Sequence, residues 1–330
     1  MPHASSPFGG RRPLLSVVTP CYNEAEVIDL FYRELRPVLA SLDGIDFEII
    51  LVDDGSSDDT LARMNRIADG DPAVRPCSLS RNFGHQVALT AGLDASVGDA
   101  VILMDSDLQH PPRVIPELVA KWLEGHDVVS AMRRRPQGET FFKTLSSRGF
   151  YVFFNALSAT KIPEGVADFC LLSRRACSAL KQMPERHRIL RGLIAWAGFR
   201  RAFVPYEQPP RAAGHTKYNL AKMIGLALDA VFSFSAEPLR LALRLGLAIT
   251  ALGFAYLAWS VLLGYLRDTI VPGWTSLIGI VMILGGCQLS FLGLIGQYLA
   301  RVFEEVKGRP LYLFKQDPPA PRERPGAERQ

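Results

Sequence analysis

The stretch FEIILVDDGSSDDT, residues 47–60, joins an apolar segment to a cluster of acidic and hydroxyl side chains. The apolar part predicts a buried strand, and Ser56 or Ser57 is suited to cap a following helix. Asp53 and Asp54 are adjacent like charges with no basic partner nearby in the sequence. They are therefore interpreted as acceptors for the N–H and hydroxyl groups of a ligand such as a nucleoside. The alternative is an ordinary turn with a helix cap.

Apolar segments alternate with amphipathic ones on both sides of this stretch. The alternation predicts an α/β fold in which helices cover both faces of a parallel sheet. Ligands bind such a sheet beyond the carboxyl ends of its strands, where PCYNE, DDGSSDD and DSDLQH all fall. The predicted strands are residues 14–19 (ended by Pro20), 47–52, 73–80, 100–104 and 127–132, and the clearest helices are residues 24–42 and 83–96.

Three of the polar loops carry candidate site residues. Asp105 and Asp107 follow a buried strand, and hard oxygen ligands of this kind suit Mg²⁺ or Mn²⁺ bridging a diphosphate. The alternative is an acidic turn that caps the next helix. Tyr22 offers a stacking surface and Asn23 and Glu24 offer hydrogen bonds, unless they form an ordinary turn. Arg81 follows the third strand, where it is equally suited to a surface ion pair.

Composition excludes several classes of protein. The chain has 330 residues, of which 48% are hydrophobic and 21% charged, with a net charge of +4. These values argue against disorder and against nucleic-acid binding by bulk charge. The five scattered cysteines indicate a reducing compartment rather than a disulfide framework. The G-x-G-x-x-G, P-loop and G-x-S-x-G patterns of dinucleotide, nucleoside-triphosphate and hydrolase sites are absent.

Two long runs without charged residues, 245–266 and 274–300, predict a transmembrane hairpin. Basic residues flank both runs on the same side, which places the two chain ends in the cytoplasm. Residues 141–160 and 218–235 are interpreted as helices at the membrane interface, or alternatively as buried core helices. The predicted organisation is a flexible N-terminus (1–13), a cytoplasmic catalytic domain (14–217), a juxtamembrane amphipathic helix (218–240), a two-helix hairpin (241–300) and a cytoplasmic tail (301–330), disordered from Asp317.

Four motifs in fixed order resemble glycosyltransferase family 2. They are VVTPCYNE at 17–24, VDDGSSDD at 52–59, SRNFGH at 80–85 and MDSDLQHP at 104–111. Four later segments resemble its polyprenyl-phosphate glycosyltransferases: ADFCLLSRRA, RHRILRGLIAWAGF with Arg186, His187, Arg188 and Arg191, RAAGHTKY, and GRPLYL. The resemblance covers about residues 14–315. It implies a GT-A fold, which is a mostly parallel Rossmann-like sheet covered by helices, with the hairpin following it.

The resemblance also implies roles for individual residues. Asp107 and Gln109 match the metal ligands for Mg²⁺ or Mn²⁺, and Asp168 matches an acceptor-side base. Arg133 matches a phosphate-contacting arginine, and Arg211 and Lys217 match basic residues of a loop that closes over the phosphates. Cys170 stands where the family has an arginine, which removes a phosphate contact. The donor-binding candidates are Pro20, Tyr22, Asn23, Glu24, Val52, Asp54, Ser56, Arg81, Asp105 and Ser106.

The implied reaction transfers a hexose, with inversion, from a nucleotide sugar to a polyprenyl phosphate at the cytoplasmic face of the inner membrane. UDP-glucose is the leading donor, and GDP-mannose and a UDP-aminoarabinose-type sugar are the alternatives. A membrane scaffold with an inactive domain, or a transferase that uses a diphospholipid-linked saccharide or a protein acceptor, are the other hypotheses. No nucleic-acid partner is expected, and the hairpin is compatible with a homo-oligomer.

Overall fold

The computed structural model describes residues 11–134, 165–186, 188–209 and 273–319, together with scattered positions between 239 and 262. The chain divides into two compact units. The first contains the sheet and the segment that starts at Pro310, and the second contains the long C-terminal helix. The two predicted interfacial segments, 141–160 and 218–235, lie outside the described residues, as does much of the run 245–266.

The first unit is built on a seven-stranded sheet with the order β3-β2-β1-β4-β6-β5-β7. Neighbouring strands run parallel except at β6, which is antiparallel to both β4 and β5. The predicted α/β fold with a mostly parallel sheet is therefore confirmed. The strands are β1 (Leu14–Cys21), β2 (Asp46–Asp53), β3 (Val74–Ser78), β4 (Ala100–Leu103), β5 (Val128–Arg133), β6 (Val166–Ser173) and β7 (Arg201–Tyr206).

The prediction that Pro20 ends the first strand is wrong. β1 continues to Cys21, and Pro20 is in register with Val52 of β2. On its other side, β1 pairs with β4 only as far as Val18. The backbone nitrogen of Pro20 points toward the β4 side, but β4 no longer pairs with β1 at this position. The N–H that proline lacks therefore costs the sheet no hydrogen bond.

Helices cover both faces of the sheet, as the amphipathic segments predict. α1, for example, buries Ile28, Phe31, Leu35 and Leu39 against the core. The helices are α1 (Ile28–Ala40), α2 (Thr60–Gly70), α3 (His85–Ala95), α4 (Ile115–Leu123), α5 (Arg174–Lys181), α6 (Leu190–Trp196) and α7 (Trp274–Val306).

The starts of two helices differ from the prediction. α1 begins at Ile28 rather than Glu24, because the Glu24 carbonyl first closes a turn with the amides of Val27 and Ile28. Neither Ser56 nor Ser57 caps α2, which begins after Asp59. The Ser56 hydroxyl oxygen instead accepts a hydrogen bond from the amide of Asn23 at 3.0 Å. Ser56 therefore joins two loops rather than ending one helix.

The segment after Pro310 packs on the open edge of the sheet, next to β3. The amide of Ser80 donates to the carbonyl of Leu313, and the amide of Lys315 donates to that of Ser78, both at 2.8 Å. Arg75 donates to the carbonyl of Pro319 at 2.9 Å. The predicted disorder from Asp317 is therefore wrong for residues 317–319. The exposed edge of the sheet pairs with the preceding residues, and the Arg75 side chain binds the carbonyl of Pro319.

The predicted transmembrane hairpin is not confirmed. Within the described parts of the chain, no helix combines the length and the apolar character needed to cross a membrane. α7 contains the run 274–300 and exposes many large apolar side chains, among them Leu289, Leu292 and Leu299.

Candidate active site

The candidate site lies at the carboxyl ends of β1, β2 and β4, where the sequence placed its polar clusters. The loops after β1 and β2 are joined directly, since the Asp54 amide donates to the Cys21 carbonyl at 2.9 Å. Beyond β4, the Met104 amide donates to the Val18 carbonyl at 3.1 Å. Three loops that are distant in sequence therefore start from one edge of the sheet.

The loop that contains Tyr22 is held against the loop after β2. Asn23 adopts a left-handed backbone conformation with φ 54°, and its side-chain oxygen accepts a hydrogen bond from the Ser57 amide at 2.9 Å. Tyr22 is 40% exposed, and an aromatic ring of this kind can stack on a planar ligand. The donor-binding candidates Asn23 and Ser56 thus support this loop while lying beside Tyr22.

Gly55 allows the loop after β2 to approach the loop after β3. A Cβ atom at this position would lie 2.4 Å from the carbonyl carbon of Arg81. The Arg81 side chain is exposed, with its guanidinium 4.1 Å from the centre of the Phe83 ring. The close approach places the backbone of Arg81 beside Gly55 at the end of β2, and Nη1 of Arg81 donates to the Asn82 carbonyl at 3.0 Å.

Asp53 and Asp54 hold loops together. Each is only 2% exposed. Asp53 accepts from the Ser56 amide and the Ser78 hydroxyl, and Asp54 accepts from the amides of Phe83 and Gly84 at 2.7 and 2.9 Å. Burial raises the pKa of Asp54, and the two amides partly oppose this shift. The carboxylates that the sequence interpretation directed at a ligand are thus occupied by backbone and hydroxyl donors.

Pro20, Val52 and Ser106 form the buried floor beneath these loops. Val52 is fully buried and Ser106 is 3% exposed. The Ser106 hydroxyl lies 3.5 Å from the Pro20 carbonyl. Glu24 is fixed through its backbone, because its amide donates to the Thr60 hydroxyl at 2.8 Å. These residues shape the site and hold its loops.

Asp105 lies at the centre of a cluster that the sequence did not predict as a whole. Its amide donates to Nδ1 of His110 at 3.0 Å, and its carboxylate lies 3.4 Å from Nε2 of His85. His110 is buried and stacks on the Phe169 ring at 5.0 Å. The Asp105 oxygen that faces His85 is Oδ1, and this buried atom makes no hydrogen bond, so it can accept one from a ligand.

Asp107 and Gln109 form a short turn beside Asp105. The Gln109 amide donates to Oδ1 of Asp107 at 3.0 Å, and Leu108 between them has φ 61°. Among the residues described, no group of three or more His, Cys, Asp or Glu side chains is arranged to hold a metal ion. The carboxylate of Asp107 and the side-chain oxygen of Gln109 are nevertheless of the kind that suits Mg²⁺ or Mn²⁺, which bind one or two protein oxygens together with water and phosphate. The orphaned Oδ1 of Asp105 adds a third hard donor.

Asp168 of β6 lies across the site from Asp105, and His85 stands between them. Nε2 of His85 is 3.8 Å from Oδ2 of Asp168. Gln86 donates from Nε2 to the same oxygen at 2.8 Å, and Nε of Arg191 lies 3.9 Å from Oδ1. The sequence-predicted donor and acceptor carboxylates are therefore brought together by residues that the sequence reasoning had not selected.

Of the three basic residues predicted for the site, only Arg133 lies within the described residues. Arg133 ends β5 and is exposed. Burial raises the pKa of Tyr206 to about 12, and its hydroxyl is within electrostatic range of Arg133, Asp105 and Asp107. Arg133 therefore belongs to the same side of the sheet as the acidic cluster. Arg211 and Lys217 lie outside the described residues. Cys170 is buried in β6 and burial raises the pKa of its thiol.

The site residues to which the sequence assigned no role are His85, Gln86 and His110. His85 and His110 lie within the motifs SRNFGH and MDSDLQHP, so their positions beside the acidic residues were a usable signal. Gln86 carries no local signal, because its partner Asp168 is far away in the sequence. Arg191 belongs to a basic stretch that the family resemblance included, and the structure places its Nε atom 3.9 Å from Asp168.

Comparison with known proteins shows the class of this chain. Residues 16–181 match the model of glycosyl transferase family 2. An uncharacterized glycosyltransferase of Synechocystis sp. is 45% identical over 299 residues, which cover 91% of this chain and 94% of that protein. A prophage bactoprenol glucosyl transferase homolog of Escherichia coli is 40% identical over 301 residues, 91% of this chain and 98% of that protein.

A solved structure of glucosyl-3-phosphoglycerate synthase from Mycobacterium tuberculosis, with Mg²⁺ and uridine diphosphate, is 21% identical with a TM-score of 0.48. The match covers 67% of this chain and 77% of that one. The fold and the sequence matches define the chain as a glycosyltransferase. It belongs to glycosyl transferase family 2, so the predicted family and the GT-A type of α/β fold are confirmed.

Proposed function

We propose that this glycosyltransferase transfers glucose from UDP-glucose to a polyprenyl phosphate, with inversion at the anomeric carbon. The observation that carries the proposal is the 40% identity, over 91% of the chain, with the bactoprenol glucosyl transferase homolog of Escherichia coli. The proposed acceptor is undecaprenyl phosphate, and the product is a lipid-monophosphate sugar for glycosylation of the cell envelope.

The chemistry requires two negatively charged phosphate groups to approach each other. An oxygen of the lipid phosphate attacks the anomeric carbon of glucose, forming one C–O bond as the bond to the UDP diphosphate breaks. The lipid phosphate is already anionic near neutral pH, so positioning and charge screening matter more than deprotonation. Arg133 supplies positive charge beside the acidic cluster, and Arg211 and Lys217 are proposed to add more.

A divalent metal is proposed to take part at Asp107 and Gln109. When bound, Mg²⁺ or Mn²⁺ neutralises charge on the leaving diphosphate. The support is the set of hard oxygen donors in this turn, with the orphaned Oδ1 of Asp105 beside it. Asp105 and His85 then orient the sugar between the turn and β6.

Asp168 is proposed to orient the acceptor phosphate or remove a residual proton. Its Oδ1 atom is buried without a hydrogen-bond partner, and Arg191 lies 3.9 Å away. A carboxylate and a guanidinium side by side can contact a phosphate that still carries a proton at one oxygen and negative charge at the others.

The acceptor would be met at a membrane. A polyprenyl chain does not leave the bilayer readily, since each buried CH₂ contributes about 0.8 kcal/mol. Support comes from the exposed apolar side chains of α7, such as Leu289 at 71% and Leu299 at 65%. We propose that the protein associates with the inner membrane with its catalytic unit in the cytoplasm; a homo-oligomer is compatible with this arrangement.

A donor screen tests the proposal. Purified protein is incubated with undecaprenyl phosphate, Mg²⁺ or Mn²⁺, and radiolabelled UDP-glucose, GDP-mannose or a UDP-aminoarabinose-type sugar. The proposal predicts a mild-acid-labile labelled lipid with UDP-glucose. A labelled lipid that forms only with GDP-mannose would show that the proposed donor is wrong. A labelled product on a diphospholipid or a protein would show that the proposed acceptor is wrong.

A further inference from the structure

We propose that Gln86 is a positioning residue, which fixes the carboxylate of Asp168 in the orientation needed for glycosyl transfer. The inference rests on the proposed role of Asp168 on the acceptor side. It is carried by two hydrogen bonds of one side chain, which join three segments that are distant in sequence: Gln86 itself, Asp168 and Leu190.

Gln86 is the second residue of α3, and the start of this helix is firmly held. The backbone amides of Phe83 and Gly84, the two residues before α3, donate to the carboxylate of Asp54, which follows β2. Gly84 has φ 100°, a conformation that a glycine adopts without strain and that directs the chain into the helix. The base of the Gln86 side chain is therefore fixed to the sheet before the side chain reaches β6.

Both polar atoms of the Gln86 side-chain amide make hydrogen bonds. Nε2 donates to Oδ2 of Asp168 at 2.8 Å, and Oε1 accepts from the amide of Leu190 at 2.9 Å. These partners also fix which end is nitrogen, because an ionised carboxylate only accepts and a backbone amide only donates. Gln86 cannot rotate its amide without losing both bonds.

This arrangement makes the two oxygens of Asp168 unequal. Oδ2 accepts from Gln86 and also lies 3.8 Å from His85. Oδ1 is buried without a hydrogen-bond partner, at 3.9 Å from Arg191. Gln86 therefore holds one oxygen and leaves the other for a substrate. A rotation of the carboxylate would exchange them and move the free acceptor away from its position.

Two substitutions separate positioning from a merely structural role. Gln86→Glu keeps an oxygen for the Leu190 amide but removes the donor to Asp168 and places a second carboxylate there. Gln86→Leu removes both bonds with little change in volume. Gln182→Leu, at the exposed end of α5, is the matched control for a glutamine-to-leucine change.

The experiment measures kcat and the donor KM for each variant, together with the melting temperature. We expect both Gln86 variants to lose roughly 10- to 100-fold in kcat, because small misplacements of a reacting group cost that much. The donor KM should stay within about twofold, since the donor loops keep their own bonds, and Gln182→Leu should match the wild type. Combining Gln86→Leu with Asp168→Ala should give no further loss beyond Asp168→Ala alone.

Two results would overturn the inference. One is wild-type kcat for Gln86→Glu with a loss only for Gln86→Leu, which would assign the side chain to holding Leu190. The other is a double variant whose losses multiply, which would make Gln86 independent of Asp168. If the wild type transfers sugar to another acceptor, the proposed function fails, while the same variants assayed on that acceptor still test Gln86.

Discussion

At the scale of single residues, the site divides into side chains that build loops and side chains left open to a ligand. Asp53 and Asp54 are the clearest builders, since hydroxyl or backbone donors occupy their oxygens. Asp105 and Asp168 each keep a buried oxygen without a hydrogen-bond partner. From sequence, the two kinds of acidic residue look alike, because each kind follows or lies within an apolar strand.

The oxygen donors of the turn after β4 lead to a prediction for metal binding. Asp107→Ala should reduce transfer by roughly 100-fold or more, because charge stabilisation of the leaving diphosphate is lost. The variant should stay folded, since the side chain belongs to a surface turn. The assay follows labelled lipid product with and without EDTA, and Asp43→Ala, at an exposed position before β2, is the control. Substantial activity of Asp107→Ala, or of the wild type in excess EDTA, would contradict the metal role.

A second residue-scale prediction concerns stability and pH at Asp71. Burial opposes ionisation of this carboxyl, but hydrogen bonds from the Ala73 amide, Arg36 and Tyr32 outweigh it and lower its pKa. The ionised Asp71 therefore adds to the free energy of unfolding at pH values above its unfolded-state pKa of about 3.9. This stabilisation is lost as the pH falls through the lower pKa of the folded state. Asp71→Asn should reduce the free energy of unfolding at pH 7 by about 1.5–3 kcal/mol.

Urea unfolding of the wild type and of Asp71→Asn at several pH values checks this sign. The difference between the two proteins should shrink as the pH is lowered below about 4, because the wild-type carboxyl is protonated there in the unfolded state and, at a still lower pH, in the folded state. A difference that stays constant, or that grows toward acid pH, would contradict the assignment.

At the scale of elements, periodicity predicted β1 to β5, α1 and α3 to within a few residues, but it did not predict β6, which carries Asp168, or β7. It could not predict the direction of β6, because a buried apolar strand has the same pattern whichever way it runs. It also could not predict that the segment after Pro310 pairs beside β3. That pairing depends on an open sheet edge formed by residues far away in the sequence.

The tail segment leads to a prediction of its own. Deleting residues 310–330 should lower the melting temperature by several degrees, at roughly 2–4 °C for each kcal/mol lost. It removes the bonds to Ser78 and Ser80, the Arg75–Pro319 contact and the Tyr312–Asp94 hydrogen bond at 3.0 Å. Deleting only residues 320–330 is the control and should leave melting unchanged. Equal melting of both truncated proteins would show that the segment does not stabilise the sheet edge.

At the scale of the whole molecule, the proposed acceptor requires contact with a lipid surface. The protein should therefore float with liposomes in a density gradient. Replacing Leu289, Leu292 and Leu299 of α7 with glutamine should shift protein to the unbound fraction, because these side chains expose apolar surface. Leu123→Gln, at a 51% exposed position of α4, is the matched control. Flotation that the three α7 substitutions leave unaffected would exclude α7 as the contact.

Glucosyl transfer to a lipid phosphate can be followed directly as a labelled lipid. Wild-type protein is incubated with UDP-[¹⁴C]glucose, undecaprenyl phosphate and Mn²⁺, and the organic phase is extracted and treated with mild acid. We expect a labelled lipid that depends on added undecaprenyl phosphate and releases glucose in mild acid. A labelled lipid that forms equally well without the acceptor, or no labelled lipid while another donor or acceptor supports transfer, would contradict it.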